Sequence, residues 1–262
     1  MLTIRVICTF SLIIFCLLGW SDTAIAGELS QRLANFPQWE QLTSVQRAEG
    51  DLVYPKWMAG SWKVTSTLVD LAAPLAPDII TPGFESNRQQ LNQPVNFLVR
   101  FIPEKPRVTG LKLIPKIANQ SSNLVADRVF NSLNLARAYL GEEGVLSVKI
   151  DPDSPNRQIT LLPGERQLVS IITARATETP NNSQFITAEV FQQLFKGAAR
   201  PYFNVVESTT AYQQVSTSYP AIIADQVTAV YLSPQDPDYF TAGSHPVALY
   251  RYQLEFSRNS ED

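Results

Sequence analysis

The sequence predicts a mainly β fold. The expected architecture is a single antiparallel β-barrel of about eight to ten strands, with an N-terminal helical arm and one inserted helix over residues 123–141. Three observations carry this expectation. Short segments that alternate apolar and polar residues recur along the chain, each bounded by turn signals. The chain has 18 prolines, nearly all of them between those segments, where a residue that cannot donate to a ladder belongs. Finally, Gly60-Ser61-Trp62 opens the first long alternating strand. A glycine there permits a tight turn, and the large flat side chain two residues on can plug one end of a closed sheet.

The elements follow in order. Residues 1–26 read as a cleavable signal peptide: Arg5 gives a positive start, Val6–Trp20 is a nearly unbroken apolar run, and Ala24-Ile25-Ala26 supplies a small-x-small site before Gly27. The expected destination is therefore outside the compartment of synthesis, with no integral membrane segment left after cleavage. Cys8 and Cys16 are the only cysteines and leave with this segment. The remaining 262 − 26 = 236 residues then have no route to disulfides, thiolate catalysis, Cys-zinc sites or iron–sulfur clusters. A formal net charge of −3 without a basic cluster argues against nucleic acid and anionic membrane surfaces as partners.

Residues 27–52 read as an N-terminal arm, with Leu29, Leu33, Phe36, Leu42 and Val45 on an apolar stripe interrupted by Pro37; the arm is expected to lie across one end of the domain. Residues 53–258 are expected to form the barrel. In its first strand Trp62, Val64, Ser66 and Leu68 share one face, opposite Lys63, Thr65 and Thr67. The proline-rich segment Ala72–Gly83 reads as a loop, then strands follow at Val95–Glu104 and Val108–Pro115. Asn123–Gly141 breaks the period of two: Leu124, Val125, Val129, Phe130, Leu133, Ala136, Ala138 and Leu140 fit a helical stripe, Ser122 or Asn123 can cap its start and Gly141 its end. Strands return at Val145–Asp151, Gln158–Leu162, Gln167–Thr177, Phe185–Leu194, Tyr202–Thr217, Gln226–Leu232 and Val247–Ser257.

Gly60-Ser61-Trp62 opening the first long strand after an N-terminal arm resembles the lipocalin/calycin pattern. That resemblance implies a lipocalin-like barrel whose base is closed by Trp62 and covered by a basic residue of the last strand, for which Arg251 is the candidate. The family's usual Asn-x-Asp before the motif is absent, and the apolar alternation of the last strand places Arg251 on the face opposite Tyr250 and Tyr252. Two narrower resemblances stand beside it. Tyr54-Pro55-x-Trp57-Met58-x-Gly60-x-Trp62, Ala73-Pro74-Leu75-Ala76-Pro77 and Thr81-Pro82-Gly83-Phe84 look like a family of functionally uncharacterised exported cyanobacterial and plastid proteins, which implies the periplasm or thylakoid lumen. Trp57-Met58-Ala59-Gly60 is similar to the opening of the calycin-fold bilin lyases; those work in the cytosol, against the signal peptide.

No catalytic motif stands out. His245, the only histidine, sits in a turn with no Gly-x-Ser-x-Gly elbow to serve. Asp236 and Asp238, Asp151 and Asp153, and Glu142-Glu143 read as solvated loop acids. Neither a metal site nor a cofactor is expected. The aromatic residues on inward strand faces are the more informative set. Phe97, Phe101, Tyr212, Tyr231, Tyr250 and Tyr252 are the candidate lining of an apolar pocket, with Arg100 and Glu207 as inward polar groups able to orient a ligand. The expected function is binding or carriage of a small hydrophobic ligand, a lipid or a pigment. The alternative is a non-enzymatic assembly factor with a filled barrel that meets a membrane-complex partner through its loops, and a lyase-like enzyme ranks below both.

Overall fold

The computed structural model describes residues 27–259 other than 82, 105–122, 153, 155 and 198–200. The segment read as a signal peptide, the strand expected at Val108–Pro115, Asp153 and the turn residues Pro82 and Pro155 lie outside the described residues.

The fold is mainly β, as the alternation predicts. One antiparallel sheet curls into a half-barrel. Its strands are β1 (Gln46–Arg47), β2 (Val53–Tyr54), β3 (Gly60–Ala72), β4 (Pro94–Pro103), β5 (Leu124–Ala126), β6 (Ser147–Ile150), β7 (Arg157–Leu162), β8 (Arg166–Glu178), β9 (Gln184–Lys196), β10 (Tyr202–Gln214), β11 (Ile222–Leu232) and β12 (Ala248–Arg258). The spatial order is β2-β5-β4-β3-β12-β11-β10-β9-β8-β7-β6, with β1 added on β8. Hairpin connections from β6 to β12 explain the antiparallel meander, and β12 returns to pair with β3. The helices are α1 (Glu28–Ala34), α2 (Phe84–Arg88), α3 (Arg128–Leu140) and α4 (Tyr239–Ala242).

The arm differs from expectation in where it lies. It covers the convex face of the sheet, not one end. Leu29, Leu33, Trp39 and Leu42 pack against Ile186, Ala188, Val227, Ala229 and Leu249, which share one side of β9–β12 by register. The start of α1 is held by a strand residue: the Leu29 and Ser30 amides donate to the Glu178 carboxylate at 2.6 and 3.3 Å, so Glu178 supplies the cap that Gly27 lacks.

The inserted helix is shorter than predicted. Leu124 and Val125 belong to β5, which pairs with β2 and with β4, because both side chains are buried in a sheet environment. The helix cap is Asp127, whose carboxylate accepts from the Phe130 amide at 3.1 Å, in place of Ser122 or Asn123. None of the α3 residues is fully buried, so its stripe does not enter a helix core. It closes a seam instead. β5 covers only the last residues of β4; beyond it the Asn131 side chain takes the place of a neighbouring strand, accepting from the Arg100 amide at 2.8 Å and donating to the Arg100 carbonyl at 3.2 Å. The next residue, Ser132, donates to Gln158 of β7 at 3.0 Å. Adjacent residues of one helix thus tie the two margins of the curled sheet together, and an exposed strand edge is covered.

Trp62 is buried near the start of β3. It is 1 % exposed, its Nε1 donates to the Met58 carbonyl at 2.8 Å, and Phe256 meets it edge-on at 6.5 Å. The covering cation is Arg258 and not Arg251. The Arg258 guanidinium lies 3.9 Å from the Trp62 ring centre and donates to the Ala59 carbonyl at 2.6 Å. Register gives the reason: Arg258 is the direct cross-strand partner of Trp62, whereas Arg251 is opposite Asp70. Arg251 stays on the convex face, paired with Asp225 through Nε and Nη2 at 2.9 and 2.6 Å and stacked on Phe36 of the arm. Gly60 is required here, since its φ is +99° and a Cβ would come within 2.9 Å of Arg258 Nη1.

Candidate ligand-binding cavity

Among the described residues the concave face is not filled. Two chambers of about 570 and 310 Å³ lie on it, each within the range that ligand sites occupy. Tyr54, Ala126 and three α3 residues, Asn131, Leu135 and Tyr139, line both. The chambers are therefore neighbours beneath the helix. Leu135 and Tyr139 are also solvent-exposed.

The β8–β9 register builds the larger chamber in layers: Leu168 is opposite Phe195, Ser170 opposite Gln193, Ile172 opposite Phe191 and Arg175 opposite Glu189. Regular alternation would not bring both Ile172 and Arg175 inward. A β-bulge between Ile172 and Ala174 does so, because one extra residue switches the face of everything after it.

The charged layer is the chemical centre of this chamber. Arg175 donates to Glu189 Oε1 from Nε and Nη2 at 3.2 and 2.9 Å, and its Nη1 holds the Gly50 carbonyl at 3.1 Å. Arg128, the first residue of α3, stands 3.8 Å from Asp51. The four side chains are only 12 to 20 % exposed. Burial pushes the Glu189 carboxyl up from the ordinary carboxylate range, against the opposing pull of Arg175 and Arg128. Burial likewise lowers Arg128, which Glu189 and then Asp51 resist. The hydroxyl of Tyr54 is held well above the usual phenol range, first by burial and then by Tyr212 and Glu189. Tyr54 also anchors an aromatic cluster, 4.7 Å from Phe101, 5.7 Å from Phe185 and 6.4 Å from Tyr212.

Of the residues expected to line a pocket, Phe97, Phe101, Tyr212 and Tyr252 line the smaller chamber. The other four do not line either one. Tyr250 is on the concave face but lies under α2, its ring tilted against Phe84 at 5.9 Å. Arg100 alternates to the opposite side of β4, where it pairs with Asp127 at 2.7 Å and covers the Phe130 ring. Glu207 and Tyr231 belong to the convex face. Glu207, 1 % exposed, accepts from Arg32 Nη2 at 2.7 Å, the Leu42 amide at 3.3 Å, Thr209 at 3.1 Å and the Tyr231 hydroxyl at 3.2 Å. That carboxylate latches the arm to the sheet. Sequence reasoning passed over Tyr54, Arg128, Arg175 and Glu189. Glu189 was within reach, because it shares strand parity with Phe185, Phe191 and Phe195.

Among the described residues no group of three or more metal-ligating side chains converges, and no helix is long and apolar enough to cross a membrane. Residues 46–260 match the family described as "Domain of unknown function (DUF6816)", and the chain belongs to it. No curated protein and no solved structure matches the chain.

Proposed function

We propose that this member of the DUF6816 family binds a small apolar molecule, a lipid or a pigment, in the concave face of its half-barrel, and that it does so as a carrier, not as an enzyme, after export to the periplasm or thylakoid lumen. The observation that carries the reading is the unfilled concave face: about 570 Å³ of space walled by Ile172, Phe191 and Leu168 beside a second chamber walled by Phe97, Tyr252 and Phe256. Apolar clefts of this size with a few polar groups on their walls are the usual form of small-molecule sites. Burial of a ligand's apolar surface at about 25 cal/mol per Å² provides the driving force. The same space speaks against a filled barrel acting only as an assembly factor.

The test is direct. Protein purified from its own host is expected to carry a stoichiometric small molecule, visible by native mass spectrometry and, for a pigment, by its absorption. A Ser170→Trp variant, which places an indole in the larger chamber, is expected to lose that molecule while keeping its far-ultraviolet circular dichroism. A bare chain in the native protein refutes the reading, and unchanged loading in the folded variant removes the larger chamber from it.

A further inference from the structure

The charged layer of the larger chamber is unusual for an apolar site. Asp51, Arg128, Arg175 and Glu189 place two cations and two anions on its wall. Both bonds from Arg175 fall on the same carboxylate oxygen, Oε1 of Glu189. Glu189 lines the chamber. Tyr54, at the junction of the two chambers, adds a hydroxyl.

The charge balance limits what can enter. Two positive and two negative groups already compensate each other, so a ligand carrying one more unit charge would leave that charge unmatched in a desolvated site, which is costly. A neutral oxygen function meets no such penalty. Its hydroxyl can donate to the Glu189 carboxylate, a charge-assisted bond stronger than one between neutral groups, and its oxygen can accept from Tyr54 or Arg128.

From this geometry we infer that the chamber selects an amphiphile with an uncharged oxygen head, an alcohol or a carbonyl, over a carboxylate or an ammonium of the same chain, with Glu189, Arg128 and Tyr54 as the head-binding residues and Leu168, Ile172, Phe191 and Phe195 receiving the chain. This assignment rests on the cavity-binding function proposed above and adds the chemistry of the ligand's polar end.

The experiment uses the neutral fluorescent probe N-phenyl-1-naphthylamine, displaced by decanol, decanoate and decyltrimethylammonium at pH 8 from the full protein. Decanol is expected to displace the probe at a concentration at least about tenfold lower than either charged amphiphile. Glu189→Gln removes one negative charge from the layer while preserving its shape. In that variant decanoate is expected to gain at least about tenfold while decyltrimethylammonium does not gain. Equal displacement by all three heads, or a decanoate affinity that Glu189→Gln leaves unchanged, overturns the head assignment and leaves the cavity reading standing. A probe that neither binds nor is displaced overturns both.

Discussion

Replacing Trp62 with alanine tests the plug role expected for this residue. The ring is 1 % exposed and a buried tryptophan removes roughly 200–250 Å² from water. At about 25 cal/mol per Å² that is on the order of 5–6 kcal/mol, of which alanine retains about 1–2. Loss of the indole bond to the Met58 carbonyl leaves a buried acceptor, worth about 1 kcal/mol more, whereas partial collapse of Met58 and Phe256 into the space offsets some of the cavity. The net expectation is a loss of about 3–5 kcal/mol, read as a fall in urea midpoint by far-ultraviolet circular dichroism, since the fluorescence of the removed ring cannot be the probe. Arg258→Ala is expected to cost only about 1 kcal/mol, because the covering guanidinium is itself exposed. Coupling between the two substitutions in a double-mutant cycle is expected at about 0.5–1 kcal/mol. A Trp62→Ala loss under about 1 kcal/mol at an unchanged denaturant slope refutes the plug, and zero coupling refutes the role given to Arg258.

Two further perturbations separate the convex face from the seam. Glu207→Ala strips the partner from Arg32, so it is expected to cost about 3–5 kcal/mol and to expose the arm at residues 27–45 to limited proteolysis; Glu207→Gln is expected to loosen the arm while leaving ligand affinity unchanged, because the residue faces away from the chambers. Asn131→Ala removes both bonds to the Arg100 backbone and is expected to speed amide exchange across α3 by at least about tenfold with a global loss of about 1–3 kcal/mol.

Much of the sheet was legible because period-two alternation reports directly on which residues share a face. Phe97, Val99 and Phe101 of β4 read correctly for that reason, and so do Tyr252 and Leu254 of β12. Alternation does not report which face is concave. Glu207 sits with Val205 and Thr209 on β10, and nothing local distinguishes that side from the side of Tyr212; the distinction comes from the arm, which claims the Glu207 side through Arg32 and Leu42. The basic cover of Trp62 failed by seven residues, since the expected strand ended at Ser257, one short of the Arg258 that the register places opposite the indole. Arg175 was beyond reach for a different reason, because the bulge at Ile172 and Ala174 that turns it inward has no signature in the side chains around it. The helix was visible as a stripe, but its function as a seam depends on β5 being too short to cover β4.

The division of labour between the two faces explains how such a cavity can persist in a stable fold. On the convex side Ala188, Val227, Ala229 and Leu249 are wholly excluded from water under the arm, and near the start of β3 Met58 and Trp62 are equally dry. These regions supply the close packing that a single sheet needs. Over the chambers the concave face is then covered by α3, which has no fully buried residue and is held by polar ties at Asn131 and Ser132. If the chambers were merely poor packing, filling them would stabilise the protein with no loss of function; natural proteins retain such unfilled sites at a stability cost where binding requires them. Ser170→Trp therefore carries a double expectation: a chain at least as stable as the parent and unable to hold the ligand. A stabilised variant that still carries its ligand would mean that the larger chamber is not the site, and would leave the smaller chamber of Phe97 and Tyr252 to account for binding.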